Sequence, residues 1–154
     1  MIPPSSRREA RWQWKVGRWL MIVAALVYGP LPSAIDIFDP YHLTSPEWNG
    51  HARLHLLWLI SICGYTGLTA AWLAFKATPE RPEPLRTATL LGALIVGGFY
   101  TAGLFGGLVD ASYGPPSHYF FGGRVGGPLI HFTIAGLLLG SGILLTRRGL
   151  RDAH

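Results

Sequence analysis

"LLWLISICGYTGLTAAWLAF", residues 56–75, runs for twenty residues without a charge. A helix needs roughly 20 mostly apolar residues to cross the hydrocarbon of a bilayer. Three more stretches resemble it. Trp19 to Ile35 is uncharged but short, and Pro30 and Pro32 interrupt it; Thr87 to Val109 is uncharged and longer; Val125 to Thr146 holds one ionisable residue, His131. The gaps between them are too short and too polar to be domains. The sequence predicts an all-α fold: an integral membrane four-helix bundle, one four-span domain over residues 1–154, with spans near 19–37, 52–76, 87–109 and 127–147.

Composition agrees. Charged residues make up 14% of the 154-residue chain and hydrophobic residues 49%, whereas soluble domains carry about 25% charged residues. The single cysteine, Cys63, excludes an intrachain disulfide and a CxxC zinc or redox pair.

The first segment has a second reading. A basic stretch, an apolar core and "LPSA" resemble a secretory signal with a small-residue cleavage site; a retained helix, kinked or ended by its prolines, is preferred.

The net charge of +5 is unevenly placed. Arg7, Arg8, Arg11, Lys15 and Arg18 precede the first span. Lys76, Arg81 and Arg86 lie between the second and third, and Arg147, Arg148 and Arg151 follow the fourth. Four spans put all three groups on one side, leaving only Arg53 and Arg124 on the other. The excess of Lys and Arg in cytoplasmic segments then predicts cytoplasmic termini, in a bacterial inner (plasma) membrane. The basic groups read as topology signals in contact with anionic lipid, not as a nucleic-acid surface. The link "KATPERPEPLR" reads as a stiff solvated connection.

Ionisable residues gather on the opposite, extracytoplasmic face. Working back from residue 56, the stretch "PYHLTSPEWNGHARLH" (40–55) carries His42, Glu47, His51, Arg53 and His55. Ser45 before Pro46 reads as an N-cap with proline at the first helical position. From that start Glu47, His51 and His55 fall four residues apart and share a helix face. Asp36 and Asp39 end the first span, Asp110 ends the third, and His131 opens the fourth. Taken singly, these residues cap helices or anchor at the interface, as Trp48 and Arg53 would. Together, ionisable residues at the membrane boundary are costly and usually face a bundle interior or cavity.

His51, His55 and His131, with Glu47 and Asp36, are therefore the candidate catalytic or polar-core residues. A histidine side chain, with an ordinary pKa near 6.5, suits proton transfer around neutrality. Arg53, Trp58, Asp110, Tyr119 and Arg124 are the candidate substrate-binding residues. The second outer loop, "DASYGPPSHYFFGGRVGG" (110–127), reads as a lid whose aromatics and arginines would enclose a lipid or quinone headgroup. Alternatively, His51, His55 and His131 would be ligands to a transition metal or haem, since imidazole suits zinc, copper, iron and nickel. Glycine pairs at 103/107 and 136/140 predict close helix packing, within the bundle or in a homo-oligomer.

Asp36, His42, Pro46, Trp48, His51, Ala52, Arg53 and His55 resemble a motif in a family of small, uncharacterised four-helix membrane proteins. There an Asp and a His precede Asn-Pro-x-Trp, and His-Ala-Arg-x-His opens the second helix. This chain departs at Ser45 and Gly50, where the family tends to have Asn and Pro. The resemblance implies a motif-bearing outer loop and brings no activity. More loosely, the chain resembles emopamil-binding-type membrane proteins, which are sterol isomerases and binders; no residue is carried over from them.

Three functions follow as expectations. In the first, the protein binds or converts an apolar small molecule (lipid, sterol-like compound or quinone). In the second it holds a metal or haem. In the third it is a non-catalytic accessory subunit of a larger membrane complex. A transport site is disfavoured, because the midplanes of the spans are uncharged and such sites usually lie there.

Overall fold

The computed structural model describes residues 4–112, 114 and 116–152. Among the described residues its regular elements are helices except for one short hairpin. Helix α1 runs Pro4–Tyr28, α2 Pro30–Phe38, α3 Gly50–Lys76, α4 Glu83–Phe105 and α5 Gly127–Arg151. A 3-10 turn, Gly106–Val109, extends α4. A second one, Pro116–His118, leads into strand β1 (Tyr119–Phe120), which pairs antiparallel with β2 (Val125–Gly126). Four helical units are long and apolar enough to cross a membrane: Ser6–Phe38, Gly50–Lys76, Glu83–Val109 and Gly127–Arg151. Each is longer than its apolar core, because the flanking basic and polar residues continue the helix.

The exterior is apolar. Leu94, Leu104, Leu108 and Phe121 are each more than 60% exposed. Such faces are normal against lipid and uncommon on a soluble monomer. The interior holds small residues instead: Ala10, Ala24, Ala25, Ala70, Ala74, Ala88 and Ala135, with Tyr28 the one large side chain fully buried.

Small residues let the backbones meet. The longest seam joins α1 to α5. There a Cβ on Gly142 would sit 2.6 Å from the Met21 side chain and 2.8 Å from the Gly17 carbonyl, and one on Gly149 would sit 2.6 Å from the Ala10 carbonyl. Helix α1 crosses α3 at Gly29 and Gly67, where a Cβ on either would fall 2.5–2.6 Å from the other's Cα. The expected glycine pairs make no such close approach at Gly107, Gly136 or Gly140 within the bundle. A Cβ on Gly107 or Gly140 meets nothing within 4 Å, and one on Gly136 makes only ordinary contact with Val96.

The first span breaks at Gly29-Pro30. Proline 30 has no N–H for the carbonyl four residues earlier, and its ring clashes with a continuing helix. Pro32 repeats the defect. Helix α2 restarts with Pro30 in its first turn, and the buried Ser33 hydroxyl, 2.9 Å from both the Gly29 and Ile60 carbonyl oxygens, ties it to α1 and α3.

The expected start of the second span at Ser45-Pro46 is corrected by the structure. Helix α3 begins at Gly50, with Asn49 as N-cap accepting a hydrogen bond from the Ala52 amide at 2.9 Å. Asparagine ranks with the best N-caps. Residues 40–48 instead form successive turns, and the Ser45 hydroxyl accepts only from the Glu47 amide, at 3.4 Å. Glu47 therefore lies outside the helix that carries His51 and His55.

The Ala10–Gly149 contact puts both termini at one end of the bundle. Arg18 brings the α3–α4 link to the same end, donating to the Phe75 and Ala77 carbonyls at 3.4 and 3.2 Å. Residues 39–49 and 106–126 close the opposite, distal end.

Candidate functional site

The distal end contains a cavity of about 770 Å³. Its walls are apolar: Ile35, Ile130, Ile134 and three aromatics, Phe99, Phe120 and Phe132. Phe99 of α4 stacks on Phe132 of α5 with ring centroids 4.0 Å apart. Nearby, the Tyr100 and Thr133 hydroxyls meet at 2.9 Å. The polar lining is Asp36, Asp39, His42, His118 and His131, with Ser117.

Four of these form a chain. His118 Nε2 lies 3.5 Å from Asp39 Oδ2, and the same oxygen lies 3.4 Å from His42 Nδ1; His42 Nε2 then lies 3.7 Å from Asp36 Oδ1. These spacings are longer than a hydrogen bond. They are ion-pair distances, and the attraction is strongest when the imidazoles are protonated. His42 Nδ1 is buried without a hydrogen-bond partner among the described residues.

Local structure fixes the chain. Asp39 caps the end of α2, and its Oδ1 accepts from the Tyr41 amide at 2.8 Å in an Asx turn. That leaves Oδ2 to face both histidines. His42, three residues on, is turned back over α2. The His118 ring stacks parallel to His42 at 6.4 Å and meets Tyr41 edge-on at 5.6 Å. Gly114, at φ +107°, runs against it so closely that a Cβ there would lie 2.7 Å from His118 Nδ1.

His131 approaches from α5. Its Nε2 lies 2.6 Å from the Val27 carbonyl oxygen. A carbonyl only accepts, so Nε2 carries the proton, and in the neutral ring Nδ1 is then the free base. The contact lies two residues before the break at Gly29-Pro30. Asp36 is within electrostatic reach of His131 as well as of His42 and Asp39.

The expected site residues divide. Asp36 and His131 meet in the cavity. His51 and His55 do not join them: both are exposed on the first turns of α3, with Nε2 atoms 3.1 Å apart and rings at 85°. Trp58, also exposed, lies 6.2 Å from the His55 ring. Glu47 is exposed in the preceding turn. Arg53 is used by the loop, donating to the Ser45 carbonyl at 2.9 Å. Asp110 is exposed in a left-handed conformation after the 3-10 turn (φ 52°), and Arg124 is exposed where the hairpin turn returns. Tyr119, half-buried, opens β1. Neighbouring Phe120 and His118 line the cavity, so the second loop does cover it in part; Tyr113 of that loop lies outside the described residues.

The polar lining residues outside the expected catalytic, binding and metal sets are Asp39, His42, Ser117 and His118. His42 carried a local signal: it stands three residues after Asp39 and six after Asp36, in "DIFDPYH". His118 carried none, because its place depends on the fold of the second loop.

No group of three or more His, Cys, Asp or Glu among the described residues is placed to hold a metal ion. The arrangement can receive an apolar body between aromatic walls and meet a polar group at its end with carboxylates and imidazoles. Compared with protein-family models, curated proteins and solved structures, the chain matches none.

Proposed function

We propose that this is a multi-pass protein of a bacterial inner (plasma) membrane, with cytoplasmic termini, whose distal cavity binds an apolar small molecule bearing a polar, proton-exchanging head. A quinone fits this description best among the lipid, sterol-like and quinone classes. The carrying observation is the His118–Asp39–His42–Asp36 chain, which ends in a cavity otherwise walled by phenylalanine and isoleucine. Such a chain offers hydrogen-bonding and charged partners to the carbonyl oxygens of a quinone head, while the walls take the rings and the start of the tail. Asp36 and His131 Nδ1 stand as the groups nearest the head; His42, Asp39 and His118 connect them to the distal surface. The basic residues at the termini end support the orientation.

Two observations bear on the other readings. The exposed His51–His55 pair offers two nitrogens to a metal, without a third ligand among the described residues. The open Gly97-Gly98 face of α4 suits a subunit of a larger complex, and would not conflict with a ligand in the cavity.

The test is extraction in mild detergent followed by mass spectrometry of the retained small molecules. The wild-type protein should carry a quinone-class compound that Asp36→Asn loses. Equal retention by both, or none by either after addition of a short-chain ubiquinone and a naphthoquinone, defeats the proposal.

A further inference from the structure

A second concavity, of about 550 Å³, lies at the other end of the bundle, between the start of α1 and the α3–α4 link. Its lining is unlike the first. Arg8, Arg11, Lys15 and Arg18 come from α1, Thr78, Pro79 and Glu80 from the link, and Trp12 and Trp14 complete it. Spacings of three, four and three residues put the four cations within about 80° of one helix face, at 100° per residue. Like charges at these spacings repel and destabilise a bare helix. The opposite wall is held rigid: Thr78 and Arg81 exchange backbone hydrogen bonds at 3.2 and 3.1 Å around Pro79-Glu80.

Only one carboxylate offsets the four cations. The Glu80 carboxyl is held below the usual glutamate range by its own backbone N–H and by the Thr78 hydroxyl, with Arg11 nearby. It is therefore ionised at neutral pH, and the groove keeps a surplus of three positive charges. Arg18 spends one terminal nitrogen on the α3 carbonyls, and its buried Nε has no hydrogen-bond partner among the described residues. The groove has unspent donors and charge, and among the described residues Glu80 is the one carboxylate in its lining.

Depth points to the source of an anion. The first span is 33 residues long, about 50 Å at 1.5 Å per residue, against about 30 Å of hydrocarbon. The uncharged run starts only at Trp19. Residues 8–18 thus stand at headgroup level, where tryptophan is enriched. We propose that this groove is a binding site for the phosphate of an anionic phospholipid, with Arg8, Arg11 and Lys15 on the headgroup and Trp12 against the glycerol and upper acyl chains. Arg18 closes the deep end of the groove and fixes the link that forms its far wall. The site is independent of the distal cavity and of what that cavity binds.

The test uses the full-length protein in detergent, with phosphatidylglycerol and phosphatidylcholine of identical acyl chains added in equal amounts, and native mass spectrometry of the bound lipid. Phosphatidylglycerol should be retained over phosphatidylcholine by about tenfold or more, given the attraction of each basic residue for anionic lipid. Arg8→Gln/Arg11→Gln should remove most of that preference, whereas the charge-matched Arg148→Gln/Arg151→Gln should keep it. Glu80→Gln should raise it. Inorganic phosphate in excess should not displace the lipid, because the acyl chains contribute to binding. Equal retention of the two lipids overturns the proposal, as does an equal loss in both double variants. Displacement by phosphate alone overturns the assignment to lipid. If the α1 double variant fails to fold, Glu80→Gln still decides: no gain in retention refutes the role of groove charge.

Discussion

His131 on α5 donates its Nε2 proton to the carbonyl of Val27, at 2.6 Å, where the first span breaks before Pro30. One side chain thus ties α5 to the end of α1 and also lines the cavity. Leaving a buried acceptor unpaired costs about 1–3 kcal/mol. His131→Ala should lower unfolding stability in detergent by about that amount, and His131→Gln, which keeps a donor, should recover part of it. A His131→Ala protein as stable as wild type would show that the kink does not need this bond.

The two histidine groups should separate by function. Charge-assisted hydrogen bonds are worth about 1.5–3 kcal/mol, so Asp36→Asn should weaken binding of a short-chain quinone by roughly tenfold to a hundredfold. His51→Gln/His55→Gln should leave binding unchanged, since that pair lies outside the cavity lining. Titration by quenching of tryptophan fluorescence measures both.

Glycine substitutions should sort by contact. Gly67→Ala places a methyl 2.6 Å from the Gly29 Cα, backbone against backbone, and overpacking of this kind typically costs about 1–3 kcal/mol. Gly97→Ala and Gly140→Ala meet nothing within 4 Å and should be neutral to slightly stabilising in the monomer, since alanine favours helix by about 1 kcal/mol over glycine. Thermal midpoints of the three variants in one detergent provide the comparison. A destabilised Gly97→Ala protein in native membranes, but not in detergent, would mark that face as an interface.

The start of α3 has a local signature. Asn49→Ala removes the cap on the Ala52 amide and should cost about 0.5–2 kcal/mol, with faster hydrogen exchange at Gly50 to Arg53. Ser45→Ala should leave exchange in those amides unchanged. The reverse pattern would restore Ser45 as the cap.

The sequence made the four apolar helices readable because twenty uncharged residues have few other uses in a chain this poor in charge. The polar site was half readable. Asp36 and His131 stood out as ionisable groups next to apolar runs, and each faces the cavity. His51 and His55 drew attention by their four-residue spacing, but spacing fixes only a shared face, not what that face meets. The helix start was misplaced because Ser45-Pro46 and Asn49-Gly50 are both plausible openings, and only the second leaves its first turn free of the Arg53–Ser45 contact. His118 was hidden: a histidine in a glycine- and proline-rich loop has no periodicity, and the contact with Asp39 spans about half of the chain.

The α1–α5 seam also sets the order of assembly. Ala10, Gly17 and Met21 leave the ribosome more than a hundred residues ahead of Gly142 and Gly149, the residues they pack against. At about 5–20 residues per second, α1 waits several seconds for its principal partner. Until then it is held by α3, through Gly29 and Gly67, and then by α4, where Gly92 meets Tyr28. The small-residue groove of α1 therefore faces lipid or the insertion machinery until α5 is made, and a chain truncated before α5 would leave it unfilled.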